Sequence, residues 1–171
     1  MEEQAFLDLL QPYHQITENI LLGNQQAAGW LPEWERSEKA LQEGRIRLQE
    51  LGVTHILCCA DSICVYPNEF TYKALPIRDS PGFNISEFFE EAYEFIEHCM
   101  EQNGTILIHC NAGASRSASI LIYYIMRKKT LSLADAEAFV SCKRTCINPS
   151  NFRDQLLQAE GECATKKQTN P

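Results

Sequence analysis

Ile106-Leu107-Ile108-His109-Cys110-Asn111-Ala112-Gly113-Ala114-Ser115-Arg116-Ser117 reads, in that order, as a buried β-strand, a tight loop and the first turn of a helix. A β-branched and apolar run that ends at polar residues suits a central parallel strand, and the apolar run Ile120 to Met126 suits a largely buried helix leaving it. The loop between them is short, so successive backbone N–H groups can turn inward with the helix N-terminus behind them. Gly113 permits a backbone conformation there that a side chain would obstruct. Such a loop is an anion cradle. The fold expected around it is α/β, a central, mostly parallel, twisted sheet flanked by helices, with the anion-binding loop between a central strand and a buried helix.

Cys110 stands at the base of this cradle and Arg116 closes its far side six positions later. A thiol facing amide dipoles, a helix N-terminus and a guanidinium ionises more easily, so a thiolate is expected at neutral pH. Arg116 offers a planar fork matched to two oxygens of a phosphate, which lysine cannot imitate. In a chain with eight Cys, a bare Cys/Arg pair is weak evidence. His109, Gly113, Ser115, Ser117 and the flanking strand and helix strengthen it, against the bland reading of an inert buried cysteine in a glycine turn. With these residues the chain resembles the cysteine-dependent protein phosphatases, and His-Cys-x-x-Gly-x-Ser-Arg-Ser is most like their dual-specificity branch, in its small, catalytic-domain-only form.

A length of 171 residues with 44% hydrophobic content allows one domain with a real core. The formal net charge of -8 argues against nucleic acid or an anionic membrane as a partner held by bulk electrostatics. Two of the eight cysteines are adjacent and most lie in apolar periodic segments, which fits a reduced compartment rather than a disulfide framework. The acidic start lacks a basic, apolar leader, no run of about eighteen apolar residues is present, and neither myristoylation nor prenylation is signalled. The expected location is the cytoplasm, with the nucleus also open.

Along the chain, residues 1–15 read as an N-terminal helical extension, 16–160 as the catalytic domain and 161–171 as a flexible tail. Glu2 to Leu10 reads as a short amphipathic helix stopped near Pro12. Ile16 to Leu22 reads as one or two strands, and Ile20-Leu21-Leu22-Gly23-Asn24 also resembles the opening segment of the family. Residues 27–44 look longer than usual for it, an added surface element. Pro32 would start a helix running through Leu41, Leu48 and Leu51 to a Gly52 cap, with Gly44 counting against it. Trp30 and Trp34 either complete the core, the favoured reading, or anchor a partner. Val53 to Ala60 and Phe70 to Ile77 read as strands. The first ends at Cys58-Cys59, near the cradle if the sheet is parallel. One of these could pair with Cys110 under oxidation, although two small buried hydrophobes is the favoured reading.

Arg78 to Ile85 is a polar loop leading into an amphipathic helix carrying Phe88, Phe89, Ala92, Ile96 and Cys99, with Glu87, Glu90 and Glu91 in its first turn. Asp79 in that loop is the candidate general acid, at a position that resembles that of the family's acid, with a surface aspartate capping a turn as the bland reading; Asp61, at another strand end, is a rival acid without that family context. Beyond the central helix, Arg127-Lys128-Lys129 matches a helix dipole, and Ser132 caps a helix through Phe139 and Val140. Lys143-Arg144 reads as a solvated helix end, with a substrate-facing surface as the alternative. Asn151 is expected to cap the final helix. Where the family usually has Arg-Pro and then Pro-Asn, this chain has Arg144-Thr145 and Pro149-Ser150-Asn151.

The resemblance implies that Cys110 attacks phosphorus to give a phosphocysteine, while Asp79 protonates the departing oxygen and then activates water. Arg116 and the loop residues Asn111, Ala112, Gly113, Ala114 and Ser115 would hold the phosphoryl oxygens. Ser117 would ease departure of the thiolate, and His109 would fix the loop and tune Cys110. No metal or cofactor is required by these steps. The expected partner is a phosphorylated protein. Phosphotyrosine and phosphoserine or phosphothreonine are both expected, since no loop with a pocket-deepening aromatic residue is visible, and no lysine inside the cradle favours a multiply charged substrate. A phosphate-reading module without turnover and a redox-sensing thiol protein are the other readings.

Overall fold

The computed structural model describes residues 7, 10–61, 64–147 and 150–168, and in the last stretch the side chains of 152–162. Five strands form one sheet: β1 Tyr13–Thr17, β2 Ile20–Gly23, β3 Val53–Cys58, β4 Thr71–Ala74 and β5 Thr105–His109. Alongside the sheet, among the described residues, run the α-helices α1 Glu38–Glu50, α2 Phe89–Glu101, α3 Arg116–Lys129, α4 Leu133–Ser141 and α5 Ser150–Gln168. The sheet order is β1-β2-β5-β3-β4. Only β1 runs antiparallel to its neighbour, as a hairpin with β2; β2–β5, β5–β3 and β3–β4 are parallel. The mostly parallel sheet expected from the strand–loop–helix stretch is therefore present, with β5 at its centre.

Alternation along the strands distributes their side chains between two cores. Ile20 and Leu22 of β2, Leu57 of β3, and Ile106 and Ile108 of β5 face the larger one, where α2, α3, α4 and α5 pack. Leu21, Ile56 and Leu107 turn to the other face and meet Leu48 of α1, Tyr66 and Phe70. The helix α3 is buried from Ser117 to Met126. A helix covered on all sides can be apolar nearly all round, which is why no polar stripe interrupts its sequence. That burial fixes the direction in which its N-terminus meets the loop after β5.

Several local expectations change. The helix from Pro32 to Leu51 is divided: a 3₁₀ turn covers Glu33–Glu35, and α1 starts afresh with Ser37, whose side chain accepts from the Ala40 N–H. Gly44, the residue that weakened that helix, lies inside α1 because a Cβ there would sit 2.6 Å from the Tyr66 hydroxyl. Trp34 is 85% exposed and so does not complete the core. Arg127 and Lys128 do more than match a dipole, pairing with Glu90 at 2.7 Å and Glu97 at 2.6 Å across to α2. Ser132 caps α4 as expected.

β1 begins at Tyr13, inside the stretch read as an extension, and α5 continues to Gln168, past Gly161. Because α5 begins at Ser150, Asn151 is its second residue rather than its cap. Most of the expected helix at Glu2 to Leu10, and the break at Asn148-Pro149, lie outside the described residues.

Candidate active site

Cys110 follows β5 directly and is 1% exposed. Its Sγ accepts from the Gly113 N–H at 3.2 Å and from the Ser117 hydroxyl at 3.2 Å, two donors that lie on opposite arms of the loop. Ser117 is fully buried in the first turn of α3, so its hydroxyl has a fixed direction. Gly113 has φ +69°, and a Cβ on it would meet the Gly23 carbonyl oxygen at 2.3 Å. The glycine is thus required twice, by its left-handed backbone and by the passage of β2 against it.

Four consecutive carbonyls of the loop are held outward. Asn111 O accepts from the Gln25 N–H at 3.2 Å and Ala114 O from the Ile147 N–H at 2.8 Å. Between them, Ala112 O accepts from Arg144 Nη2 at 3.1 Å and Gly113 O from Arg144 Nε at 2.8 Å. A trans peptide points its N–H opposite its C=O, so the amides of residues 112 to 115 face the inside of the loop. This is the inward-facing donor set that the sequence led us to expect, with the α3 N-terminus behind it.

Arg144 is the residue that sequence reasoning misjudged. Rather than a solvated helix end or a substrate-facing cation, it is 0% exposed and lies behind the loop. Its Nη1 also donates to Gln11 O at 3.0 Å and to His14 Nδ1 at 2.9 Å. The only signal available was its place in the segment where the family resemblance aligns Arg-Pro with Arg144-Thr145.

Asp79 and Arg116 meet across the mouth. Oδ2 of Asp79 lies 3.5 Å from Arg116 Nε, and Oδ1 accepts from the Ser115 hydroxyl at 3.2 Å. The Arg116 contact is one of charge, since Nε makes no hydrogen bond, while its Nη1 donates to Ile77 O at 3.3 Å. The pair is only partly shielded, with the Asp79 side chain 40% exposed. An exposed carboxylate beside a guanidinium with a spare donor can exchange that contact for an incoming phosphate. The rival acid, Asp61, is exposed beyond the end of β3.

His109 closes β5 and is buried, with Nδ1 unpartnered. Burial pushes its pKa down to about 4, opposed by a hydrogen bond with the Cys110 backbone, so the ring is neutral. On the neighbouring strand, Cys58 is in register with His109, and the Cys59 N–H donates to His109 O at 2.7 Å. Cys59 therefore lies beside Cys110. Both are free thiols, and burial, with Cys110 next to it, pushes the Cys59 thiol well above its usual range.

A family model described as the dual specificity phosphatase catalytic domain matches residues 37–162. The chain is 42% identical over 120 residues to serine/threonine/tyrosine-interacting protein B of Xenopus laevis, an alignment covering 66% of this chain and 54% of that protein. It is likewise 42% identical over 120 residues to human dual specificity protein phosphatase 9, covering 66% of this chain and 30% of that one. It thus spans about half the length of the first relative and about a third of the second. Among solved structures, that of the human tyrosine phosphatase-like serine/threonine/tyrosine-interacting protein matches with a TM-score of 0.75 and 34% identity, over 88% of this chain and 96% of that one. A mouse putative dual specificity phosphatase complexed with zinc tungstate shares the fold, with a TM-score of 0.79 at 22% identity over 91% of each chain.

Proposed function

Since the chain belongs to the dual specificity phosphatase catalytic-domain family, we propose that it is a protein phosphatase acting on phosphotyrosine and on phosphoserine or phosphothreonine through a phosphocysteine at Cys110. The observation that carries this reading is the convergence on one mouth of a cysteine sulfur, inward loop amides, a guanidinium and a carboxylate. Binding of phosphate alone would call for neither the sulfur nor the acid.

Cys110 attacks phosphorus as the thiolate, in line with the ester oxygen, forming the S–P bond as the P–O bond breaks. Asp79 gives its proton to the departing alcohol or phenol. In the second step Asp79 takes a proton from water, whose oxygen attacks phosphorus, and the thiolate leaves with inorganic phosphate released. The Ser117 hydroxyl, 3.2 Å from the sulfur, stabilises that leaving thiolate. Arg116 and the amides of the loop hold the equatorial oxygens, so the barrier is lowered chiefly by positioned charge.

Hydrolysis of 4-nitrophenyl phosphate by chelator-treated protein tests the reading, with Cys110→Ser and Asp79→Asn beside wild type. Turnover lost in the first and reduced about a hundredfold in the second supports it. Folded, reduced wild type without turnover would overturn it. One observation favours a second reading: two of the relatives above are named as interacting or phosphatase-like proteins. A phosphoprotein-binding module would bind a phosphopeptide without releasing phosphate in the same assay.

A further inference from the structure

We propose that Arg144 is a positioning residue of the phosphate loop, a buried guanidinium that presets two peptide planes so that their N–H groups await the phosphoryl oxygens. The inference rests on the loop being phosphate-binding.

Of the four outward carbonyls, the outer two are tied by backbone amides, those of Gln25 and Ile147. The inner two, Ala112 O and Gly113 O, are tied by Arg144. These inner peptides flank Gly113, and a peptide beside glycine is the easiest to flip because no Cβ opposes the alternative. Arg144 therefore acts where the loop is least able to hold itself. One product of its hold is already visible: with Ala112 O drawn back, the N–H of the same peptide points at Cys110 Sγ from 3.2 Å. Flipping either plane would replace a donor facing the phosphate with a carbonyl oxygen, exchanging attraction for repulsion.

The choice of residue follows from the geometry. Two successive carbonyls need two donors in a fixed fork, which Nε and Nη2 supply; the three N–H groups of a lysine turn about a single nitrogen and cannot hold both peptide planes in that geometry. The remaining nitrogen, Nη1, is gripped by Gln11 O, just ahead of β1, and by His14 Nδ1 within β1. A guanidinium only donates, so Nδ1 of His14 is the acceptor and its proton sits on Nε2. His14 thereby sets the plane of the guanidinium from the side opposite the loop.

The test uses the full chain with Arg144→Lys, Arg144→Met and His14→Leu. It reads kcat and KM for 4-nitrophenyl phosphate, and calorimetric binding of inorganic phosphate on a Cys110→Ser background. Arg144→Lys is expected to keep its melting transition while weakening phosphate binding about tenfold and lowering kcat about a hundredfold, with a smaller change in KM. Arg144→Met should fall further, and His14→Leu should move both quantities the same way by a few fold. A folded Arg144→Lys or Arg144→Met with phosphate affinity and kcat within twofold of wild type overturns the proposal. Should neither fold, His14→Leu decides, unchanged phosphate affinity overturning it. Because binding is read without turnover, an inactive wild type that still binds phosphate would sink the hydrolase reading and leave Arg144 to be judged separately.

Discussion

The Ser115 hydroxyl donates to Oδ1 of Asp79 at 3.2 Å, joining the last residue before α3 to the loop that follows β4. The candidate acid is therefore held at the cradle by a side chain of the cradle itself. Removing that tether in Ser115→Ala leaves the sulfur, the arginine and the core untouched. We expect kcat for 4-nitrophenyl phosphate to fall about fivefold, with inhibition by inorganic phosphate and the melting temperature unchanged.

Ser117→Ala separates the two chemical steps. Its hydroxyl touches only the sulfur side of the reaction, where the thiolate is the leaving group of the second step. Rapid-quench kinetics should show a burst of nitrophenol close to one per enzyme, followed by steady turnover slowed about tenfold to a hundredfold, with phosphocysteine accumulating.

Gly113→Ala should cost both stability and function. The left-handed backbone and the 2.3 Å approach to Gly23 O leave a methyl group nowhere to go without moving β2 or the loop. Urea unfolding is expected to show a loss of about 3 kcal/mol, with hydrolysis abolished in the protein that remains folded.

Acid should destabilise the domain through buried histidine. The folded-state pKa of His109 is depressed to about 4 from 6.5, so between these values the unfolded chain binds a proton that the folded chain refuses. Stability is full above pH 6.5 and falls as pH drops towards 4, by a total on the order of 3 kcal/mol. His55 adds to the same slope, its pKa lowered by burial and by the nearby His98. Urea midpoints for His109→Asn and wild type at pH 7 and 4.5 check this, the variant losing less on acidification.

Trp34→Ala should leave the melting temperature within a degree of wild type, because the ring is 85% exposed. Trp30→Ala should lower it, since Trp30 is half-buried where Trp34 is bare. A scanning melt of both variants separates the two tryptophans that the sequence alone treats alike.

What could be read from the sequence was what is local. The stretch from Ile106 to Ser117 carries strand, loop and helix in one contiguous run, so its alternation and its glycine specify its shape without outside help. Arg144 could not be recognised in the same way, since its partners lie 31 residues back at Gly113 and 130 back at His14. Next to Lys143 at the end of an amphipathic helix, it has the local look of any solvated cation. Gly44 misled for a related reason: its value depends on Tyr66, which is placed by a different element. The break between the Glu33–Glu35 turn and α1 turned on capping, where Ser37 competes with Pro32 as a helix start.

The place of β5 has a consequence for how the chain comes to be made. It is the last of the described strands in sequence but lies between β2 and β3 in the sheet. On the ribosome, the hairpin and the β3–β4 pair emerge first, each with a bare inner edge, and cannot join until residue 109 is free. Cys110 follows at once, whereas Arg144 and Ile147, which draw the loop carbonyls outward, are synthesised later. A nascent chain thus carries its thiol before it carries the means to shape the pocket around it, and the cysteine gains its full setting only once Arg144 and Ile147 have followed.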